Sequence, residues 1–304
     1  MARSRWSIML VSGAAALAAL TALAAGAPVA RADTGSDDAG APTGTPSATS
    51  FGGDPTVGPI FKDGLDDDHS CTASVISSRS GDLILTAAHC VQGDVSGWQF
   101  APGYRDGETP YGVWTVTAAY VDRAWIEDQD PQHDYAILTV ADRTDGTGKV
   151  DRTGARHGHS ARHSDRHRHA TRLQDVTGAN VLGLAPRDGT TITDIAYNYG
   201  IDDLPVTCTT TTYTTDGYPT FDCSGYVGGS SGSPWLTTVR HGRANGHGRQ
   251  VRVVTGVIGG LHQGGCVDYT SYSSSFTRDV HRLLARADAH EPGDLAPEPG
   301  SDGC

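Results

Sequence analysis

Three short stretches carry side chains that together could perform acyl transfer. The first is Leu83-Ile84-Leu85-Thr86-Ala87-Ala88-His89-Cys90, an apolar run that narrows to small residues and then presents a histidine. Acyl transfer at neutral pH needs a base that titrates nearby, and imidazole does so with the least perturbation. The adjacent cysteine could hold that histidine through a disulfide. The second, His133-Asp134-Tyr135-Ala136-Ile137-Leu138, puts a carboxylate at the mouth of an apolar run, where an unpaired charge is costly. Accepting the Nδ1 hydrogen of His89 would give it a partner and fix the imidazole tautomer. The third is Gly228-Gly229-Ser230-Ser231-Gly232-Ser233-Pro234-Trp235. Its glycines permit the backbone angles that aim successive N–H groups at one point, as an oxyanion hole requires. Ser231 is then the nucleophile, with the amides of Gly229 and Ser231 as donors to the oxyanion.

Each cluster alone has a plainer reading: a packed histidine beside a cystine, an aspartate in a surface turn, a flexible Gly/Ser loop. Pro234-Trp235-Leu236 argues against the last, because the chain returns at once to a strand-like run.

Such residues need a frame. Short apolar runs recur at 71–76, 83–88, 113–121, 135–140, 181–184, 191–197, 234–239 and 251–260, separated by Gly-, Pro- or Asp-rich turns. Many short strands at close spacing predict an all-β sandwich or barrel. Phe276, Val280, Leu283, Leu284 and Ala287 fall at helical spacing, predicting an amphipathic helix over 276–289. Ahead of the strands, 33–56 is Gly, Ser, Thr, Pro, Asp and Ala with the single aromatic Phe51, which reads as a disordered pro-segment or linker. The acidic, Pro-rich tail, 287–304, reads as disordered up to its final cysteine.

The first residues read as an export signal. Arg3 and Arg5 precede an alanine-rich apolar run, and Ala30-Arg31-Ala32 places cleavage after Ala32. An uncleaved anchor is the alternative. A secreted, soluble protein follows, with no membrane attachment after cleavage. Six cysteines agree with export, as disulfides rather than thiols, and allow fifteen connectivities. No Cys-x-x-Cys spacing suggests structural zinc. The net charge is -12 and only Lys62 and Lys149 are lysines, so no nucleic-acid partner is expected. From 143 to 174 the apolar pattern stops, and His157, His159, His163, His167 and His169 cluster among arginines. A solvated insertion is favoured over a metal site, because no carboxylate or thiol pattern fixes a coordination geometry. No metal or cofactor is predicted.

Taken together, Thr86-Ala87-Ala88-His89-Cys90, Asp134-Tyr135-Ala136-Ile137-Leu138 and Gly229-x-Ser231-Gly232-x-Pro234, in that order, resemble the trypsin/chymotrypsin-like serine peptidases. The spacing from His89 to Asp134 is similar too. Gly229-Ser230-Ser231 looks most like secreted bacterial branches, including relatives of the glutamyl endopeptidases. The resemblance spans 57–286, with 143–174 unmatched. It implies two six-stranded antiparallel β-barrels with a C-terminal helix, His89 and Asp134 coming from the first barrel and Ser231 from the second. It implies a monomeric endopeptidase acting on polypeptides, and a Cys71–Cys90 disulfide bracing the histidine loop. Cys208 and Cys223 flank a Thr-rich run and could staple a hairpin, leaving Cys266 and Cys304 to each other by elimination.

The pattern also departs from that family. Where trypsin-like zymogens carry an aspartate that pairs with a new amino terminus, Ser230 stands. That ion pair cannot form, so the oxyanion loop must be set another way. Six residues before Ser231, at the position that selects Arg or Lys, is Gly225. Ile258 occupies the place of the pocket histidine of glutamyl peptidases, with His262 slightly beyond as a substitute. The backbone of Ile258, Gly259 and Gly260 is instead expected to pair with an extended substrate. Two other classes compete. A catalytically idle binding protein could use the same fold. An α/β-hydrolase esterase is suggested by Gly228-x-Ser230-x-Gly232, but Pro234 and the following strand disfavour the helix it needs.

Overall fold

The computed structural model describes residues 40–143, 170–199, 204–241 and 249–304; the expected export signal and the five clustered histidines lie outside them. The elements follow from two sequence patterns. Runs buried on both faces are continuously apolar, and half-buried runs alternate. In chain order they are β1 (Thr49–Ser50), β2 (Val57–Phe61), β3 (His69–Val75), β4 (Leu83–Thr86), β5 (Gln99–Phe100), β6 (Trp114–Val121), α1 (Arg123–Asp128) and β7 (Ala136–Val140). There follow α2 (Leu173–Thr177), β8 (Val181–Leu182), β9 (Thr191–Tyr197), β10 (Pro205–Thr215), β11 (Tyr218–Asp222), β12 (Pro234–His241), β13 (Arg249–Val257), β14 (Thr270–Tyr272) and α3 (Arg278–Asp288).

The first half closes as a barrel in the order β2-β3-β4-β7-β6-β5. Its register matters for chemistry. Thr86 lies opposite Ala136, so the antiparallel pair β4–β7 ends with His89 three residues beyond one strand and Asp134 two before the other. Asp122 caps α1 by accepting from the Ala124 amide at 2.9 Å, and the helix stops at Gln129 in the left-handed region.

The second half differs from the expected six-stranded barrel. It is an eight-stranded sheet in the order β14-β11-β10-β9-β12-β13-β8, with β1 added on β10. Among the described residues β14 and β8 do not pair with each other. Both are short, and β8 runs parallel to β13 for only two residues. The interface between the halves is itself apolar core: Phe61, Tyr104 and Tyr120 pack in one cluster with Tyr197, Leu236 and Val254. The α3 helix starts from a Thr277 cap and buries Val280, Leu283 and Ala287. Among the described residues no helix is long and apolar enough to cross a membrane.

Three expectations change in detail. Residues 40–56 are held rather than loose: β1 pairs Thr49 with Thr207, and Phe51 packs on the core. A polar segment need not build its own core if it can add to an existing sheet edge. The insertion is narrower than 143–174, because Arg143 and Thr171 exchange backbone hydrogen bonds at 3.0 and 2.9 Å and Leu173 is buried in α2. The tail after α3 is pinned along its length: Asp294 binds the Val121 amide at 2.9 Å, and the Ala296 carbonyl accepts from Gly93 at 2.9 Å.

Candidate active site

Asp134 enters the site from a single 3-10 turn, Pro131–His133, capped by Asp130. Its carboxylate is fully buried and tolerated there because three N–H groups donate to it. The His89 amide reaches Oδ1 at 2.8 Å, and the His89 ring Nδ1 and the Gly260 amide reach Oδ2 at 2.7 and 2.8 Å. A carboxylate can only accept, so the imidazole proton sits on Nδ1 and Nε2 is left as the acceptor. Ala87 and Ala88, both fully buried, hold the loop from one side and the Cys71–Cys90 disulfide from the other. Only 9% of the His89 side chain remains exposed.

The loop 228–233 is fixed by residues of the opposite half. Thr72 on β3 donates its hydroxyl to the Gly229 carbonyl at 3.0 Å and its amide to the Ser231 carbonyl at 2.8 Å. The same hydroxyl accepts from the Tyr197 amide at 2.9 Å. Gly232 takes φ +81°, and a Cβ there would collide with Thr86 and Thr72, so only glycine fits. Ser230, at the position expected to lack an ion pair, donates instead to the Val227 carbonyl at 2.7 Å. The amides of Ser230, Gly232 and Ser233 find acceptors in Val227, Ile258 and Ser230. Among the described residues, those of Gly229 and Ser231 have no intrachain acceptor.

His89, Gly229, Ser231 and Ile258 line one cleft of about 640 Å³. Gly225 lies behind this wall, where its carbonyl accepts from Asn198 at 2.6 Å and the lining begins at Tyr226. Gly259 and Gly260 are buried between Ile258 and His262, both of which line the cleft. The Ile258, Gly259 and Gly260 amides are committed to Ser233, Tyr272 and Asp134. Of the three carbonyls, those of Ile258 and Gly260 accept from Gly232 and Gln263. Among the described residues that leaves the Gly259 carbonyl as the acceptor an extended substrate could use.

Thr72, Asp194 and Ser233 are positioning groups that the motif reading missed. Asp194 is fully buried on β9 and accepts from the Ser233 hydroxyl at 2.9 and 3.1 Å. The Tyr226 hydroxyl meets no partner in full hydrogen-bond geometry but faces the same carboxyl closely enough to interact with it. Burial pushes the Asp194 carboxyl up to about 7, against the opposing effect of these hydroxyls. A signal for it existed: Ile192, Asp194 and Ala196 alternate onto one strand face, so a charge was due inside. At the rim, burial holds Lys62 below the usual lysine range, against the pull of Asp63 and Glu298. Its ammonium sits 5.1 Å from the Trp98 ring centre.

The family model described as trypsin-like peptidase domain matches residues 71–246. Solved structures share the fold. The protease Anisep from Arthrobacter nicotinovorans superposes with a TM-score of 0.56 at 20% identity, over 80% of this chain and 99% of that one. A thermostable serine protease, AL20, from an extremophilic microorganism gives 0.54 at 20% identity, over 77% and 97%. A Glu endopeptidase in complex with MPD gives 0.54 at 18% identity, over 81% and 98%. No curated protein sequence matches significantly.

Proposed function

Because the chain belongs to the trypsin-like peptidase family, we propose that it is a secreted serine endopeptidase in which Ser231 is the nucleophile, His89 the base and Asp134 its orienting partner. The observation that carries this reading is the 2.7 Å contact from Asp134 to His89 Nδ1, which leaves Nε2 as the acceptor in a cleft that His89 and Ser231 both line. Ser231 Oγ attacks the peptide carbonyl as Nε2 takes its proton. The developing oxyanion is received by the amides of Gly229 and Ser231. The imidazolium, paired with Asp134, returns its proton to the leaving amine; water then repeats the steps and frees Ser231.

The substrate is polypeptide and the mature protein a monomer released after cleavage behind Ala32. Three disulfides, Cys71–Cys90, Cys208–Cys223 and Cys266–Cys304, support an oxidising compartment. Gly225 supplies no carboxylate and Ile258 lines the cleft, so small or apolar side chains are preferred at the cut. Ser231→Ala should lower turnover of a peptide library by about a million-fold with the melting temperature unchanged. A fluorophosphonate should label the parent protein and not the variant. Equal rates in the two proteins would remove the assignment.

A further inference from the structure

The segment after α3 does more than close the fold. It crosses from one half to the other at the edge of the cleft. Gln129, at the end of α1, donates to the Glu298 carbonyl at 2.8 Å and accepts from the Gly300 amide at 2.6 Å. On the facing wall, Gln263 donates to the Gly300 carbonyl at 2.8 Å, and His262 Nδ1 meets the Asp302 carbonyl at 2.9 Å. The Cys266–Cys304 disulfide fastens the end to that wall, and Pro299 and Asp302 become part of the cleft lining.

The direction of a bound chain follows from the acceptors. With the scissile carbonyl at the Gly229 and Ser231 amides, the nearest substrate N–H can use the Gly259 carbonyl. A parallel strand would run its amino-terminal side toward Val257, which is fully buried and leaves no room. An antiparallel strand runs it past Gly260 toward Leu261–Gly264, where the edge curls into a 3-10 turn with His262 and Gln263 in the left-handed region. That is where the strap lies.

We propose that residues 298–304 form a strap that ends the substrate groove on the amino-terminal side of the scissile bond, because they are hydrogen-bonded across Gln129 and Gln263 and tied at Cys266. This rests on the peptidase reading of the cleft. Recognition then depends on the one or two residues nearest the cut, and longer acyl portions gain nothing.

The test is a ladder of peptide substrates that differ only in having one to five residues before the cut. For the parent protein kcat/KM should level off after two. For Cys266→Ser/Cys304→Ser, and separately for Gln129→Ala/Gln263→Ala with the disulfide intact, it should keep rising. The gain at five residues should be about tenfold, roughly one added backbone hydrogen bond. The shortest substrates should be cut at the parent rate. The same ladder, as fluorescent peptides on Ser231→Ala with and without the strap changes, gives a binding readout that needs no turnover. Parallel ladders in both readouts overturn the strap. Failure of the parent protein to cut even the short substrates overturns the peptidase reading instead, and binding to the Ser231→Ala proteins still decides the strap.

Discussion

Two buried aspartates, one in each half of the molecule, are held in opposite ways. Asp134 receives three N–H donors, one of them from the imidazole it orients. Asp194 receives the Ser233 hydroxyl, with the Tyr226 hydroxyl nearby but outside full hydrogen-bond geometry, and burial pushes its carboxyl up to about 7. The difference shows what decides the fate of a carboxyl without water. Fixed N–H dipoles replace its hydration, whereas one hydroxyl replaces only part of it. The first arrangement suits a group that must steady a passing positive charge. The second suits a group that anchors a loop, since Ser233 follows Ser231 by two residues and its carbonyl accepts from Ile258 at 3.0 Å.

The comparison can be broken at three points. Asp134→Asn removes the charge and offers an amide that favours the wrong imidazole tautomer. It should lower kcat by about 10⁴-fold with little change in KM. A loss below tenfold would mean that Asp134 does not orient the base. Thr72→Val takes away the hydroxyl that ties Gly229 to Tyr197 across the halves. It should cost about 3 kcal/mol in urea unfolding, because a buried N–H and a buried carbonyl both lose their partner. An unchanged midpoint would show that the loop is set without it.

The third point is Asp194→Asn, whose effect shows only as a change of stability with pH. Burial raises the folded-state value above the ordinary 3.8, so folding takes up a proton between the two values. That contribution to stability is complete below about pH 4, is lost as pH rises toward 7, and Asn abolishes the slope. Between pH 4.5 and 7.5 the parent should lose about 3 kcal/mol more than the variant. Parallel stability curves for the two proteins would show that Asp194 is charged on both sides of this window.

The first half was the more legible. His89 and Asp134 flank strands that are apolar on both faces, and β4 and β7 pair in a register that brings the flanks together. Gly232 announced itself because only glycine tolerates its backbone angle and the neighbouring Thr72 and Thr86. The loop 228–233 could be located but not its anchors, since Thr72 and Tyr197 are 125 residues apart and meet only after the halves dock. The tail read as disordered for a related reason. Its proline and acidic residues offer no core of their own, and many of its hydrogen bonds use backbone groups, which every sequence possesses.

The sequence by itself determined the strand-rich architecture, the order of the three chemical clusters and the glycines that shape the loop 228–233. These depend on local period, residue type and backbone freedom, all written residue by residue. Tertiary structure alone decided that β14 and β8 do not pair among the described residues, that Thr72 and Asp194 brace the loop, and that the tail runs along the edge of the cleft. Those outcomes depend on which distant donors and acceptors meet where water is excluded, and chain separation hides that from any local pattern.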